Sequence, residues 1–246
     1  MLKSLLFILT VSILTACSDG TQDVNLQEKL KKDTTVNSQQ IIFAQPQAID
    51  SSHIIIYPLI FQRETYGSSY GSSSGGQRAS YWNLIFYDTE TQQNNLLTTD
   101  KKILIYTFNF GSSSSSSSYS SDNSWSNGIN IYKDHIIYTV VTNDYNANKQ
   151  LDENDPTYLF VSNRDGTNFR QISPDNYNIS SWEVVKGTTK IIMQGQKDDN
   201  SDKSFNDKDA IVPLIVDVND KTPAKETFTQ NYIDSLKQRL LNIWRR

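Results

Sequence analysis

Tyr158-Leu-Phe-Val-Ser-Asn-Arg-Asp-Gly-Thr-Asn-Phe-Arg-Gln-Ile-Ser173 decides the fold. Branched and aromatic residues crowd Tyr158–Ser162, the turn formers Asn163-Arg-Asp-Gly166 follow, and a second run starts at Asn168, which together read as a β-hairpin. The pattern stands twice more. Tyr81-Trp-Asn-Leu-Ile-Phe-Tyr87 leads through Asp88-Thr-Glu-Thr-Gln-Gln93 to Asn95-Leu-Leu-Thr98, and Ile211-Val-Pro-Leu-Ile-Val216 leads through Asp217-Val-Asn-Asp220 to Lys225-Glu-Thr-Phe228. More strand sequence lies ahead of each. His53-Ile-Ile-Ile-Tyr57 and Leu59-Ile-Phe61, read as one strand, precede the first, and the hairpin from Ile129-Asn-Ile-Tyr132 to His135-Ile-Ile-Tyr-Thr-Val140 precedes the second. Ser181-Trp-Glu-Val-Val185 with Lys190-Ile-Ile-Met193 precedes the third. Four strands per unit, at a period near 54 residues, predict an all-β chain of propeller-like four-stranded antiparallel repeats. Three units fall short of the roughly four blades a ring needs, so a closed ring is not expected. An open stack of sheets fits, and so does a further sheet that uses the strand Ile103-Leu-Ile-Tyr-Thr-Phe-Asn109.

In its order of strand, Asp-Gly turn and Arg-Gln-Ile-Ser strand, Leu159–Ser173 resembles the inner hairpin of the TolB-like propeller repeat. The resemblance extends in part over the other units and implies propeller-type repeats. One family feature is missing: after Trp182 stands Glu183-Val-Val-Lys-Gly187 in place of a Ser-Pro-Asp-Gly turn.

Two acidic stretches interrupt the strands, Asp144-Tyr-Asn-Ala-Asn-Lys-Gln-Leu-Asp-Glu-Asn-Asp155 and, 54 residues on, Asp198-Asp-Asn-Ser-Asp-Lys-Ser-Phe-Asn-Asp-Lys-Asp209. Oxygen side chains hold positions one, three, five, seven, nine and twelve of each, and an apolar residue holds the eighth. That spacing lets alternate side chains surround a hard cation. The candidate metal ligands are Asp144, Asn146, Asn148, Gln150, Asp152 and Asp155 in the first loop. In the second they are Asp198, Asn200, Asp202, Ser204, Asn206 and Asp209. The pattern is similar to an EF-hand loop without its helices, and resembles the short calcium loops between strands of repeat proteins. It departs at the sixth position, Lys149 or Lys203, where the turn wants a positive φ that costs a non-glycine residue about 1 kcal/mol. It departs again at the twelfth, Asp for the longer Glu. Calcium is the expected cofactor, at an affinity of about 10⁻⁴ to 10⁻³ M. Asp and Asn also close turns on their own backbone with no cation present.

The chain opens on Met1-Leu-Lys3 and the apolar run Leu5–Leu14, a basic n-region and a hydrophobic h-region too short to span a bilayer. Leu14-Thr-Ala-Cys17 follows and resembles the lipobox of bacterial lipoproteins, which implies cleavage after Ala16 and acylation of Cys17. The expected division is a signal peptide over 1–16, a lipidated cysteine and flexible polar tether over 17–39, a β domain over 40–230 and a helix over 231–246. Ser18, by the same resemblance, implies the outer membrane in a Gram-negative cell; in a Gram-positive one the anchor sits outside the plasma membrane. Cys17 is the only cysteine, so an intramolecular disulfide is excluded. With 23 basic against 27 acidic residues, a net charge of −4 and no basic cluster, the chain is not expected to bind nucleic acid.

Two low-complexity segments, Gly67–Gly76 and Gly111–Trp125, mix serine and glycine with Tyr70, Tyr119 and Trp125. Those rings are the candidate partner-binding residues, for a protein or a glycan; solvated surface loops have the same composition. From Asn231 to Trp244 apolar residues recur three and four apart. That predicts an amphipathic helix capped by Asn231 and packed over a sheet edge. Signals of catalysis are sparse. Gly67-Ser-Ser-Tyr-Gly71 has nucleophile-elbow spacing but lies in serine-rich sequence, and His53 and His135 each open an isoleucine-rich strand. No catalytic residue is assigned. A non-catalytic, partner-binding envelope lipoprotein is the first expectation; a hydrolase of envelope polymers and a structural scaffold are the alternatives.

Overall fold

The structure, a computed structural model, describes residues 41–60, 80–111 and 130–245. All lie in the second of the two units into which the chain divides, residues 40–246. Three antiparallel sheets follow one another in sequence. The first is built on β3 (Ile54–Ile60), which pairs with β1 (Ile42–Phe43), β2 (Gln47–Ala48) and β4 (Asn83–Asp88); β5 (Asn94–Leu96) completes it. The second runs β6 (Leu104–Asn109), β7 (His135–Val141), β8 (Tyr158–Asn163) and β9 (Arg170–Gln171). The third runs β10 (Tyr177–Val184), β11 (Lys190–Lys197), β12 (Ala210–Asp217) and β13 (Lys225–Glu226), and the helix α1 (Gln230–Trp244) follows. The second and third sheets are meanders of sequential neighbours, whereas in the first β1 and β2 both pair with β3; none of the three closes on itself. The described residues are therefore all-β, propeller-like and open, followed by the C-terminal helix α1, as the repeats predict.

Turn chemistry fixes the third-to-fourth strand links. Asp88 Oδ1 accepts from the N–H groups of Glu90 (2.8 Å) and Thr91 (3.2 Å), and Asp217 Oδ1 accepts from Asn219 N–H (3.0 Å). In the second sheet Gly166 N–H closes onto the Asn163 carbonyl at 3.0 Å. The two aspartates make Asx-type closures, and the Asn163–Gly166 bond is a backbone β-turn, both of which Asp, Asn and Gly favour.

Burial explains why the strands of the second sheet read as continuous apolar runs. Ile136, Tyr138, Val140, Tyr158 and Phe160 join Ile56, Leu84 and Phe86 of the first sheet in one core. Ile137, Leu159 and Val161 point the other way and join Ile191, Met193, Leu214 and Val216 of the third sheet in another. A sheet covered on both faces has no polar face to show in its sequence. Polar ties cross the same layers. Arg164 Nη2 donates to the Asp50 carbonyl (2.5 Å) and Asn95 Nδ2 to the Asp165 carbonyl (3.0 Å). On the far side Ala224 N–H donates to the Ile172 carbonyl (2.7 Å), and Arg170 donates to the Val218 carbonyl.

Within the first core the Tyr138 hydroxyl lies 2.6 Å from Ser162 Oγ, and Ser162 Oγ in turn bonds the Asn163 carbonyl at 2.6 Å. Ser162→Ala strands a buried phenol, so it is expected to cost about 1–3 kcal/mol, whereas Tyr138→Phe, which leaves serine its carbonyl partner, costs about 1 kcal/mol. Urea denaturation of the two variants checks the order.

Three sequence expectations are corrected. Ile129–Tyr132 does not form a strand: Asn130 Oδ1 accepts from Tyr132 N–H at 3.0 Å and caps a 3-10 turn, Ile131–Lys133. The strand expected there is supplied instead by β6, from the run Ile103–Asn109, because Ile103 and Ile105 reach the core. The helix begins one residue earlier than predicted, with Thr229 rather than Asn231 as its cap. No residue of α1 is buried, so it does not pack over the sheet edge. That edge, β13, consists of the exposed pair Lys225 and Glu226 and offers no apolar seat.

Candidate metal centre

The two acidic loops occupy equivalent places, linking the second strand to the third in the second and third sheets. They also share one conformation. Position four is left-handed in both (Ala147 φ 60°, Ser201 φ 58°), and so is position six (Lys149 φ 72°, Lys203 φ 62°). The lysines thus adopt the strained turn that glycine would take more cheaply.

The same hydrogen bonds recur in register. The sixth N–H donates to the first aspartate: Lys149 to Asp144 Oδ2 (2.7 Å), Lys203 to Asp198 Oδ2 (3.2 Å). The seventh donates to the fifth: Gln150 to Asn148 Oδ1 (2.7 Å), Ser204 to Asp202 Oδ1 (2.9 Å). The ninth donates to the twelfth: Asp152 to Asp155 Oδ2 (3.1 Å), Asn206 to Asp209 Oδ2 (2.8 Å). Position three also holds the fifth N–H through Asn146 and Asn200. Leu151, at position eight, is buried, and Phe205, its counterpart, is half-buried.

Each loop thus draws its first and twelfth carboxylates into the fold. Asp155 is 3% exposed and Asp209 6%. Burial raises the Asp155 carboxyl above its usual range, opposed by the backbone N–H groups it accepts from. Asp144 Oδ1, Asp198 Oδ1 and Asp209 Oδ1 are buried with no hydrogen-bond partner. Among the described residues no other buried carboxylate oxygen is left so. An unsatisfied buried carboxylate oxygen is expensive, and a hard cation satisfies it. No three His, Cys, Asp or Glu side chains converge as a metal set among the described residues, so a cation here would also need the amide, hydroxyl or carbonyl oxygens of the loop. Two amides stand against that in this conformation: Asn148 Nδ2 donates to Asp152 Oδ2 (3.1 Å) and Asn200 Nδ2 to Asp202 Oδ2 (3.0 Å).

Tyr145 joins the loops. Its N–H donates to Asp155 Oδ1 (2.8 Å) in its own loop, and its hydroxyl donates to Asp198 Oδ2 (2.8 Å) in the other. Its ring lies 5.3 Å from that of Phe205. Burial and the hydrogen bond to Asp198 push the phenol up to about 12, so it remains a donor at neutral pH. Sequence spacing gives no sign of this contact.

No protein-family model and no curated protein matches the chain.

The remaining predicted residues divide by location. Cys17, Tyr70, Tyr119 and Trp125 lie outside the described residues, as does Gly67–Gly71 with its elbow-like spacing. His53 Nε2 meets Glu90 Oε1 at 3.3 Å on an exposed surface, while His135 Nδ1 is buried without a partner. The arrangement gives neither histidine a nucleophile to activate among the described residues.

Proposed function

We propose that the chain is a non-catalytic, lipid-anchored envelope protein whose two acidic loops bind calcium and, so ordered, present a surface to a protein or glycan partner. The observation that carries the reading is the pair of like-folded loops with the first aspartate's Oδ1 buried and unpaired in each. A bound cation would neutralise clustered carboxylates and hold the loops in one conformation, which lowers the entropy lost when a partner binds. Tyr145 makes the ordering of one loop felt by the other, since its backbone serves Asp155 and its hydroxyl serves Asp198.

Thermal melting of the protein across a calcium titration to the millimolar range tests the ion, with magnesium as the comparison. A flat melting temperature removes the calcium reading. The anchor rests on Leu14-Thr-Ala-Cys17. Cys17→Ser is expected to abolish incorporation of labelled palmitate and to leave the precursor uncleaved; labelling that persists in the variant would refute acylation at this residue.

A further inference from the structure

The helix α1 turns every large apolar side chain it owns toward solvent or to its rim. Trp244 is 81% exposed, Ile243 69% and Leu240 57%, and the series continues through Leu236 and Tyr232. At 3.6 residues per turn, Tyr232, Ile233, Leu236, Leu240, Ile243 and Trp244 fall on one arc of about 120°. Lys237 borders that arc on one side and Arg239 on the other. Arg245 and Arg246 come next in the sequence. The helix has one acidic residue, Asp234, and it is already engaged by Gln230 Nε2 (2.8 Å) and Lys237 Nζ (3.7 Å). Cations are thus concentrated around an apolar face in a chain that is acidic as a whole, with net charge −4.

We propose that α1 is a second membrane contact, a helix that lies in the plane of an anionic lipid surface with the Leu236–Leu240–Trp244 face in the acyl region. Charge complementarity selects this occupant. Cations on both borders of an apolar face, with tryptophan at its end, match a negatively charged headgroup layer above hydrocarbon. The helix is too short and too charged to cross, and among the described residues none is long and apolar enough to do so. Such a contact requires neither calcium in the acidic loops nor an acyl group on Cys17.

The test uses the full chain with vesicles of brominated phosphatidylcholine, either pure or mixed equally with phosphatidylglycerol. The mixed vesicles are expected to quench tryptophan emission, and Trp244→Phe to remove that quenching while the other three tryptophans stay as they are. Leu240→Asp is expected to weaken partitioning about tenfold or more. The Lys237→Glu/Arg239→Glu variant keeps the apolar face and should lose its preference for the anionic vesicles. All four sites are exposed, so folding is spared, and circular dichroism checks it. Equal quenching by both vesicle types, or none assignable to Trp244, overturns the proposal. So does a concentration-dependent dimer that Leu240→Asp abolishes, since a second copy would then be the cover.

Discussion

Gly166→Ala is expected to destabilise the domain by about 2–4 kcal/mol, the largest effect of any single methyl group at a described glycine. Two costs add. Gly166 has φ +82°, a conformation that charges an alanine about 1 kcal/mol. Its Cβ would also stand 2.5 Å from Phe86 Cε2 and collide with Cδ2 of the same ring, and Phe86 is 1% exposed in the first core. The ring cannot swing away without displacing that core, which adds about 1–3 kcal/mol of overpacking. Gly187 supplies the control: it has φ +74° but nothing within 4 Å of where a methyl would sit, so Gly187→Ala isolates the backbone term. Urea midpoints of the two variants give the difference. Equal losses would mean that Phe86 yields, and that the Asn163–Gly166 turn does not clamp the second sheet to the first.

The same turn shows why the fold is so legible. Asn163-Arg-Asp-Gly166, Asp88 and Asp217 close their links by local chemistry, and local chemistry is written in adjacent residues. Runs such as His135–Val141 announce strands because both faces of their sheet are buried. Less legible is anything decided at a distance. Ile129–Tyr132 and Leu104–Asn109 compete for the same place beside β7, and only packing prefers the second. The fate of α1 depends on whether β13 offers an apolar seat, which periodicity within the helix cannot say. At the candidate site the spacing names the oxygens of both loops, and their common conformation follows from it. Tyr145 leaves no such trace because its two loop contacts lie 10 and 53 residues away.

Asp198→Asn should act in opposite directions with and without calcium, and this reversal separates a cation site from an ordinary turn. Asp198 Oδ2 is fully used, accepting from Tyr145 Oη–H and Lys203 N–H, whereas Oδ1 is buried with nothing to bond. Asparagine retains an acceptor for Tyr145 and Lys203 and removes the negative charge shared by the partnerless Oδ1, so without calcium the variant should melt at or above the parent's temperature. With free calcium at about ten times the dissociation constant, an intact site adds about 1.4 kcal/mol, or roughly 3–6 °C in a domain of this size. The variant should forfeit the share of the second loop, and Asp144→Asn the share of the first. If the loops were simple Asx turns, asparagine would serve as well as aspartate in every buffer. Curves that keep the same order with and without calcium would therefore assign both loops to turn chemistry alone. A crossing of the curves at both positions requires a cation that uses the orphaned oxygens.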